Sequence, residues 1–173
     1  TAEKSQFKFV SSDAEINANI DSLREHFSGL PQQLRVLSLD AEWDTYKSRV
    51  GLVAGQGSIA VVQLGYQLEQ GGSYRALIMH LHGKKALPDR LEALFKDPSF
   101  SFTGRHVGGD IEKIGRDFKC LALMRSVARV DIGPLARARD FVPSGVVQLT
   151  DLVEVVLGEK MPKDPLVRLS KWS

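Results

Sequence analysis

The sequence has little cysteine and no long hydrophobic run, and both absences restrict the class of protein. Its one cysteine, Cys120, excludes an internal disulfide and any zinc site built from several cysteines. A lone thiol of this kind is typical of a small buried side chain in a reducing compartment. We therefore expect an intracellular protein, for which the nucleus is one compatible address. No apolar stretch approaches the roughly 20 residues that a membrane-spanning helix needs, so no membrane partner is expected.

The sequence also lacks a strong charge of either sign. Its 23 Lys and Arg residues and 21 Asp and Glu residues leave a formal net charge of +2, which permits nucleic-acid binding but indicates it only weakly. A hydrophobic share of 43% over 173 residues is typical of a folded domain, and we predict a single domain spanning 1–173. Nothing near Thr1 resembles a signal or transit peptide, and we expect the domain to belong to a longer polypeptide.

Hydrophobic periodicity predicts alternating helices and strands. The expected helices are 12–27, 88–96, 109–118 and 146–157, and the expected strands are 34–40, 58–66, 74–81, 99–106 and 126–132. The glycine-rich segments GLVAGQGS and EQGGS separate the first three strands, which favours an antiparallel meander. The later alternation of strand and helix indicates an α/β fold with a mixed five-stranded sheet flanked by helices, compatible with a ribonuclease-H-like architecture.

Three short segments place two acids one residue apart, at 13–15, 40–42 and 110–112. The first and third fall in predicted helices, where residues two apart point in diverging directions. On a strand, residues two apart point to the same side, so Asp40 and Glu42, at the end of the predicted strand in LSLDAEWD, project together. Two carboxylates held this close repel each other unless protons or cations intervene, and Mg²⁺ and Mn²⁺ prefer such oxygen ligands.

Asp110 supplies a third carboxyl group at the same predicted edge of the sheet. It follows a predicted strand and begins a helix, and Gly108 and Gly109 allow a close approach of the backbone. We predict that Asp110 gathers with Asp40 and Glu42 into a catalytic, metal-binding site. Two alternatives stay open, because the helix dipole favours an Asp at a helix start and surface strands often carry alternating acids.

Four segments are informative because of their order along the chain: LSLDAEWD, AVVQL, FTGRHVGGDIEKIGRDF, and VVQLTDLVEVVLGEKMPKD with RLSKWS. They resemble, in turn, the first motif, the second strand, the second motif and the approach to the third motif of the DEDD-superfamily 3′–5′ exonuclease domains. The chain is most similar to the Werner-syndrome-type exonuclease and to ribonuclease D, and the resemblance covers 34–173. It implies a hydrolase that removes nucleotides from the 3′ end of a nucleic acid, DNA or RNA.

The resemblance also implies roles for individual residues. Two divalent ions, Mg²⁺ or Mn²⁺, clamp the scissile phosphate in this family. Asp40 would bridge both ions, Glu42 would bind the ion that activates water, and Asp110 would hold the other. Trp43 would lie against the terminal nucleotide, with core packing as the alternative for its ring. His106 stands where many family members have Asn and would be a secondary substrate contact.

The third motif of the family, a Tyr or His followed by an acid, has no counterpart in the printed residues. No Tyr follows Tyr74 and no acid follows Asp164. We therefore expect a C-terminally truncated domain whose hydrolysis is impaired. The alternative is a non-catalytic module of the same fold that binds nucleic acid or a protein partner. A phosphotransferase that uses an Asp at a strand end is disfavoured, because that reaction needs an Asp at the position that Glu42 occupies.

Overall fold

The computed structural model describes residues 6–50, 52–68, 72–120, 127–162 and 172. In this part of the chain six strands form one mixed sheet. The strands are β1 (Gln6–Val10), β2 (Val36–Lys47), β3 (Val53–Gln67), β4 (Tyr74–His80), β5 (Ser101–Gly104) and β6 (Ala128–Asp131). The helices are α1 (Asp13–Ser28), α2 (Asp89–Lys96), α3 (Val107–Asp117), α4 (Ile132–Ala138) and α5 (Leu149–Leu157). No helix in these ranges is long and apolar enough to cross a bilayer.

The order of the strands places β2 inside the sheet. That order is β1-β4-β3-β2-β5-β6. Strands β2, β3 and β4 pair antiparallel, and β5 and β6 extend the sheet in parallel on the other side of β2. The meander and the mixed sheet predicted from the sequence are therefore confirmed.

The main core lies between the sheet and the first three helices. Helix α1 begins at a capping box in which the Ser12 Oγ accepts the Glu15 N–H and the Glu15 carboxylate accepts the Ser12 N–H, each at 3.2 Å. Segment 13–15 thus serves helix capping, as its sequence predicts. The side chains that α1 and α2 bury against the sheet are Ile16, Ile20, Leu23, Phe27, Leu91, Leu94 and Phe95.

The prediction of five strands is wrong, because β1 adds a sixth. This strand pairs in parallel with β4, so that Gln6 lies opposite Arg75. Phe7 and Phe9 remain exposed on it. A five-residue edge strand has too short an alternating pattern to be recognised, and its partner is far away in the sequence.

Two strands are longer than predicted, and one helix was not predicted. Strands β2 and β3 continue beyond the core as a two-stranded ribbon, so most of GLVAGQGS is strand. The Tyr46 ring covers the glycines there, standing 3.7 Å and 3.3 Å from the positions that Cβ atoms of Gly55 and Gly57 would occupy. Helix α4 was not predicted because it contains Gly133 and Pro134, yet proline is tolerated in a first turn.

Candidate active site

Asp40 and Glu42 lie on one face of β2, opposite the core. Their neighbours Leu39 and Ala41 are buried, with 3% and 5% of their surfaces exposed, and point to the other face. The predicted convergence of the two carboxylates is therefore what the strand geometry provides. Their predicted place at the end of the strand is wrong, because β2 runs on to Lys47.

Strand β3 borders this pair and is irregular beside it. Gln63 lies opposite Asp40, and its Nε2 donates to the Asp40 Oδ2 at 3.4 Å. The register between β2 and β3 then shifts between Glu42 and Trp43, which are paired with Val61 and Ile59. Bulges of this kind re-aim side chains and are common next to active sites.

Helix α3 reaches the acids through a close contact between β5 and β2. A Cβ atom added to Gly104, the last residue of β5, would stand 2.6 Å from the Leu39 carbonyl oxygen. Only glycine allows this approach, which brings the start of α3 next to the strand that carries Asp40. The prediction that Gly108 and Gly109 provide this close approach is wrong: neither has a positive φ, and an added Cβ at either would meet no closer contact than 3.8 Å.

Asp110 lies in the first turn of α3, and its electrostatics connect it to the β2 pair. Burial, and then the negative charges of Asp40 and Glu42, raise the pKa of the Asp110 carboxyl group from 3.8 to about 7. Removal of water by the surrounding protein also raises the pKa of Asp40, although its side chain has an exposed side and the Ala41 N–H opposes the shift. The charges of Asp40 and Glu42 are thus close enough to Asp110 to destabilise its charged form.

The three acids have the chemistry of a site for a hard divalent cation. A cation would offset the repulsion that raises the pKa of Asp110. Within the described ranges, however, no three His, Cys, Asp or Glu side chains are grouped closely enough to enclose a metal ion. The donor set fits such an ion by type and charge, while its side chains are not arranged as a closed cage.

Trp43 packs in the protein interior on at least one side. Its half-buried ring contacts the main core, and the Lys113 Nζ lies 5.0 Å from the ring centroid. Core packing, the alternative given for this residue, therefore accounts for much of its environment. No pattern in the sequence predicts the Lys113 contact, because Lys113 is one of several basic residues between 113 and 139.

His106 caps α3 in a left-handed conformation. Its φ is 59°, a region that Asn and His enter more readily than most residues, and its side chain is 73% exposed. Its backbone N–H donates to the Asp131 Oδ2 at 3.0 Å, and its ring Nδ1 lies 3.2 Å from the Arg105 Nη1. Because a guanidinium can only donate, the Nδ1 must accept, which leaves the Nε2–H of neutral His106 as an exposed donor.

Asp131 connects several groups near the start of α3. Both of its oxygens accept from the Arg105 Nη1, at 3.0 Å and 3.1 Å, and the Oδ1 also accepts from the Gly133 N–H at 2.9 Å. It thus caps α4 and holds the buried Arg105 side chain. Its role is to join the ends of β5 and β6.

One residue of RLSKWS touches the strands beside the site. The Trp172 N–H donates to the Asp44 Oδ1 at 2.7 Å, and its carbonyl oxygen lies 3.3 Å from the His80 Nε2. The rest of this segment, 168–171 and 173, lies outside the described residues.

Comparison by sequence finds no match: no family model matches the chain, and no curated protein matches it. Solved structures match its fold. The EXD2 exonuclease domain superposes with a TM-score of 0.58 at 21% identity, over 91% of this chain and 72% of that chain. The same domain from crystals soaked in Mn and GMP gives 0.57 at 22%, over 97% and 76%. The catalytic core of RRP6 from Trypanosoma brucei gives 0.65 at 17%, over 99% of this chain but only 40% of that chain.

Identities of this size establish the fold and nothing finer. The predicted ribonuclease-H-like α/β architecture is confirmed, and the resemblance to DEDD exonuclease domains is confirmed at the level of the fold.

Proposed function

We propose that the chain is the core of a metal-dependent 3′–5′ exonuclease domain that hydrolyses phosphodiester bonds of DNA or RNA. The observation that carries the proposal is the meeting of Asp40 and Glu42, on one face of β2, with the half-buried Asp110 of α3, whose pKa burial and then the charges of the other two raise to about 7. Like charges are rarely gathered in this way without a function that uses them. A fold shared with exonuclease domains makes a nuclease the natural assignment.

The proposed cofactor is a pair of Mg²⁺ or Mn²⁺ ions. Asp40, Glu42 and Asp110 would hold them, and crystals of the EXD2 exonuclease domain were soaked in the same two metals. When bound, the ions supply activation of the attacking water and neutralise charge on the scissile phosphate. The contribution of the protein would be to bring Asp40 and Glu42, on one face of β2, and Asp110, in the first turn of α3, towards the same ions.

We assign the remaining two residues of the predicted site to substrate contacts. His106 offers an Nε2–H donor one helical turn before Asp110, suited to a phosphate or sugar oxygen of the substrate. The core and Lys113 cover part of the Trp43 ring. A terminal base could stack on the part that remains accessible. The proposed partner is therefore a nucleic acid with a 3′ end. The proposal also includes an intracellular address, with which the nucleus is compatible.

The proposal includes a weak activity for the 173-residue chain by itself. The printed residues offer three of the family's four acids and no Tyr or His of the third motif. Appending a helix that carries this motif should raise the rate of Mn²⁺-dependent degradation. No gain from such an extension would count against the exonuclease assignment.

A nuclease assay with matched variants tests the function. The extended chain should shorten a 3′-accessible, 5′-labelled oligonucleotide stepwise in Mn²⁺, and Asp40→Asn or Glu42→Gln should reduce the rate by at least about a hundredfold. Asp13→Asn serves as the control, because this acid belongs to the first turn of α1. Equal rates of oligonucleotide shortening by the extended chain with and without Asp40→Asn would refute the proposal.

The second candidate is a non-catalytic module of the same fold that binds nucleic acid or a protein. The observation in its favour is that no three potential ligands in the described ranges are grouped as a metal cage. A chain that binds oligonucleotides equally well with and without Mn²⁺, and never shortens them after extension, would support this candidate.

A further inference from the structure

The irregular part of β3 leaves backbone groups that its neighbouring strands do not take up. The register shift between Glu42 and Trp43 leaves out Ala60 of β3, and the next shift, between Trp43 and Thr45, leaves out residues 57–58. Two of the groups there are satisfied by side chains of α3. The Lys113 Nζ donates to the Gly57 carbonyl oxygen at 2.8 Å, and the Asp117 Oδ2 accepts the Ile59 N–H at 2.8 Å.

Lys113 and Asp117 also bind each other. Their charged groups are 3.0 Å apart, one turn apart on α3, and the Lys113 and Asp117 side chains are only 7% and 18% exposed. Burial of a lysine is costly unless each of its N–H groups finds a partner. Here the partners are the Gly57 carbonyl, the Asp117 carboxylate and the Trp43 ring. The buried charge therefore holds α3 against β3 and β2 and does not face solvent.

This polar cluster touches both parts of the proposed site. Trp43 directly follows Glu42 on β2, and Lys113 lies three residues after Asp110 on α3, on the adjoining part of the same helix surface. The cluster is therefore a rigid link between the strand that carries two of the acids and the helix that carries the third.

We propose that Lys113 and Asp117 are positioning residues, which fix the separation of Asp110 from the Asp40–Glu42 pair by fastening α3 to the bulge of β3. Their effect on metal binding rests on the proposed function, while their effect on the place of Asp110 does not. Neither residue contacts the reacting atoms in this role.

The first test uses Lys113→Met, which keeps the aliphatic length and removes the charge and the donors. Its crystal structure should show the Asp110 carboxyl group displaced from Asp40 relative to the unchanged chain. Its Mn²⁺ affinity, measured by titration calorimetry, should fall by roughly ten- to a hundredfold, as for other groups that support metal ligands indirectly. Lys96→Met is the matched control, because Lys96 forms an ion pair with Glu92 at the same spacing on α2.

A spectroscopic readout accompanies the structure. In a Trp172→Phe background, Trp43 is the only tryptophan, since the chain has two. Loss of the ammonium group from its ring should shift the Trp43 emission in Lys113→Met and leave it unchanged in Lys96→Met.

Asp117→Asn keeps the test decisive if Lys113→Met does not fold. Its side-chain oxygen can still accept the Ile59 N–H, while the full charge opposite Lys113 is lost, so a smaller decrease in Mn²⁺ affinity is expected. An unmoved Asp110 in a folded variant would overturn the proposal, and so would a measurable Mn²⁺ affinity of the unchanged chain that the variant leaves the same. If the unchanged chain binds no Mn²⁺ but Asp110 moves in the variant, the positioning role stands and the proposed function fails.

Discussion

The last residue of β5, Gly104, lies so close to Leu39 on β2 that no side chain fits between them. An added Cβ would stand 2.6 Å from the Leu39 carbonyl oxygen and 3.4 Å from the Val107 Cβ. A backbone oxygen cannot move aside without disturbing the sheet. This contact sets how near the first turn of α3, and with it Asp110, comes to Asp40.

Gly104→Ala should therefore push α3 away from β2. We expect a loss of about 1–3 kcal/mol of unfolding free energy, the usual size of an overpacking effect, together with weaker Mn²⁺ binding. Urea denaturation and calorimetric titration measure the two effects.

Gly109→Ala is the control in the same segment. Its added Cβ meets nothing within 4 Å, and alanine is favoured over glycine inside a helix by roughly 0.5–1 kcal/mol. It should stabilise the protein and leave Mn²⁺ affinity unchanged. A Gly104→Ala variant as stable as Gly109→Ala would contradict the role given to the β5–β2 contact.

Asp110→Asn should make the protein more stable at neutral and alkaline pH. The raised pKa means that folded Asp110 keeps its proton up to a pH of about 7, whereas the unfolded group releases it near 3.8. The stability that Asp110 contributes is thus fully present below pH 3.8 and is lost as pH rises through about 7. At pH 8 the variant should be more stable by about 1–2 kcal/mol, after allowing for solvent screening of a partly exposed group.

Thermal unfolding from pH 4 to pH 8 measures this difference. The advantage of Asp110→Asn should grow with pH and level off above about pH 7. Asp117→Asn on the same helix is the control, and it should be destabilising because it weakens the ion pair with the buried Lys113. An Asp110→Asn variant that is less stable at every pH would show that the carboxyl groups are not coupled.

Mn²⁺ binding should weaken as the solution becomes acidic. The ion requires a deprotonated Asp110, so protons compete with it below the pKa of about 7. Affinity should fall by up to about tenfold per pH unit between pH 7 and pH 5, as measured by calorimetric titration. Asp110→Asn should bind more weakly and show a flatter dependence, and an equally steep dependence in this variant would assign the proton to another group.

His106→Gly separates backbone strain from substrate binding. Glycine adopts a φ of 59° without strain, so the variant should be more stable by up to about 1 kcal/mol. It also removes the Nε2–H donor, so binding of a nucleoside monophosphate should weaken several-fold. Lys119→Gly is matched, because its φ is 57° at the opposite end of α3. It should gain similar stability and bind the nucleotide as the unchanged chain does.

Much of the fold follows from patterns that are local in the sequence. The Ser12–Glu15 capping box, the apolar stripes of α1 and α2, and the stop of α5 at Gly158 each depend on neighbouring residues. The meander is similarly local, because its strands follow one another along the chain. The sixth strand depends on a pairing between segments about 70 residues apart, and local patterns carry no record of such a partner.

The candidate site likewise has one part that local sequence patterns predict and another that depends on contacts between distant segments. The period of a strand brings Asp40 and Glu42 together, and this could be deduced without a structure. The contact of Gly104 with Leu39 and the fastening of Lys113 to Gly57 and Trp43 arise only when β5, β3 and α3 meet. A buried lysine and a crowded glycine look like ordinary residues until their neighbours are known.

We propose that Asp40, Glu42 and Asp110 hold divalent cations together. The most direct test is a crystal grown near pH 8, soaked in Mn²⁺ and measured at a wavelength where manganese scatters anomalously. We expect anomalous density between β2 and the first turn of α3, with carboxylate oxygens of all three residues turned towards it. A well-diffracting soaked crystal with no anomalous density among these residues, or with Mn²⁺ bound only elsewhere, would contradict it.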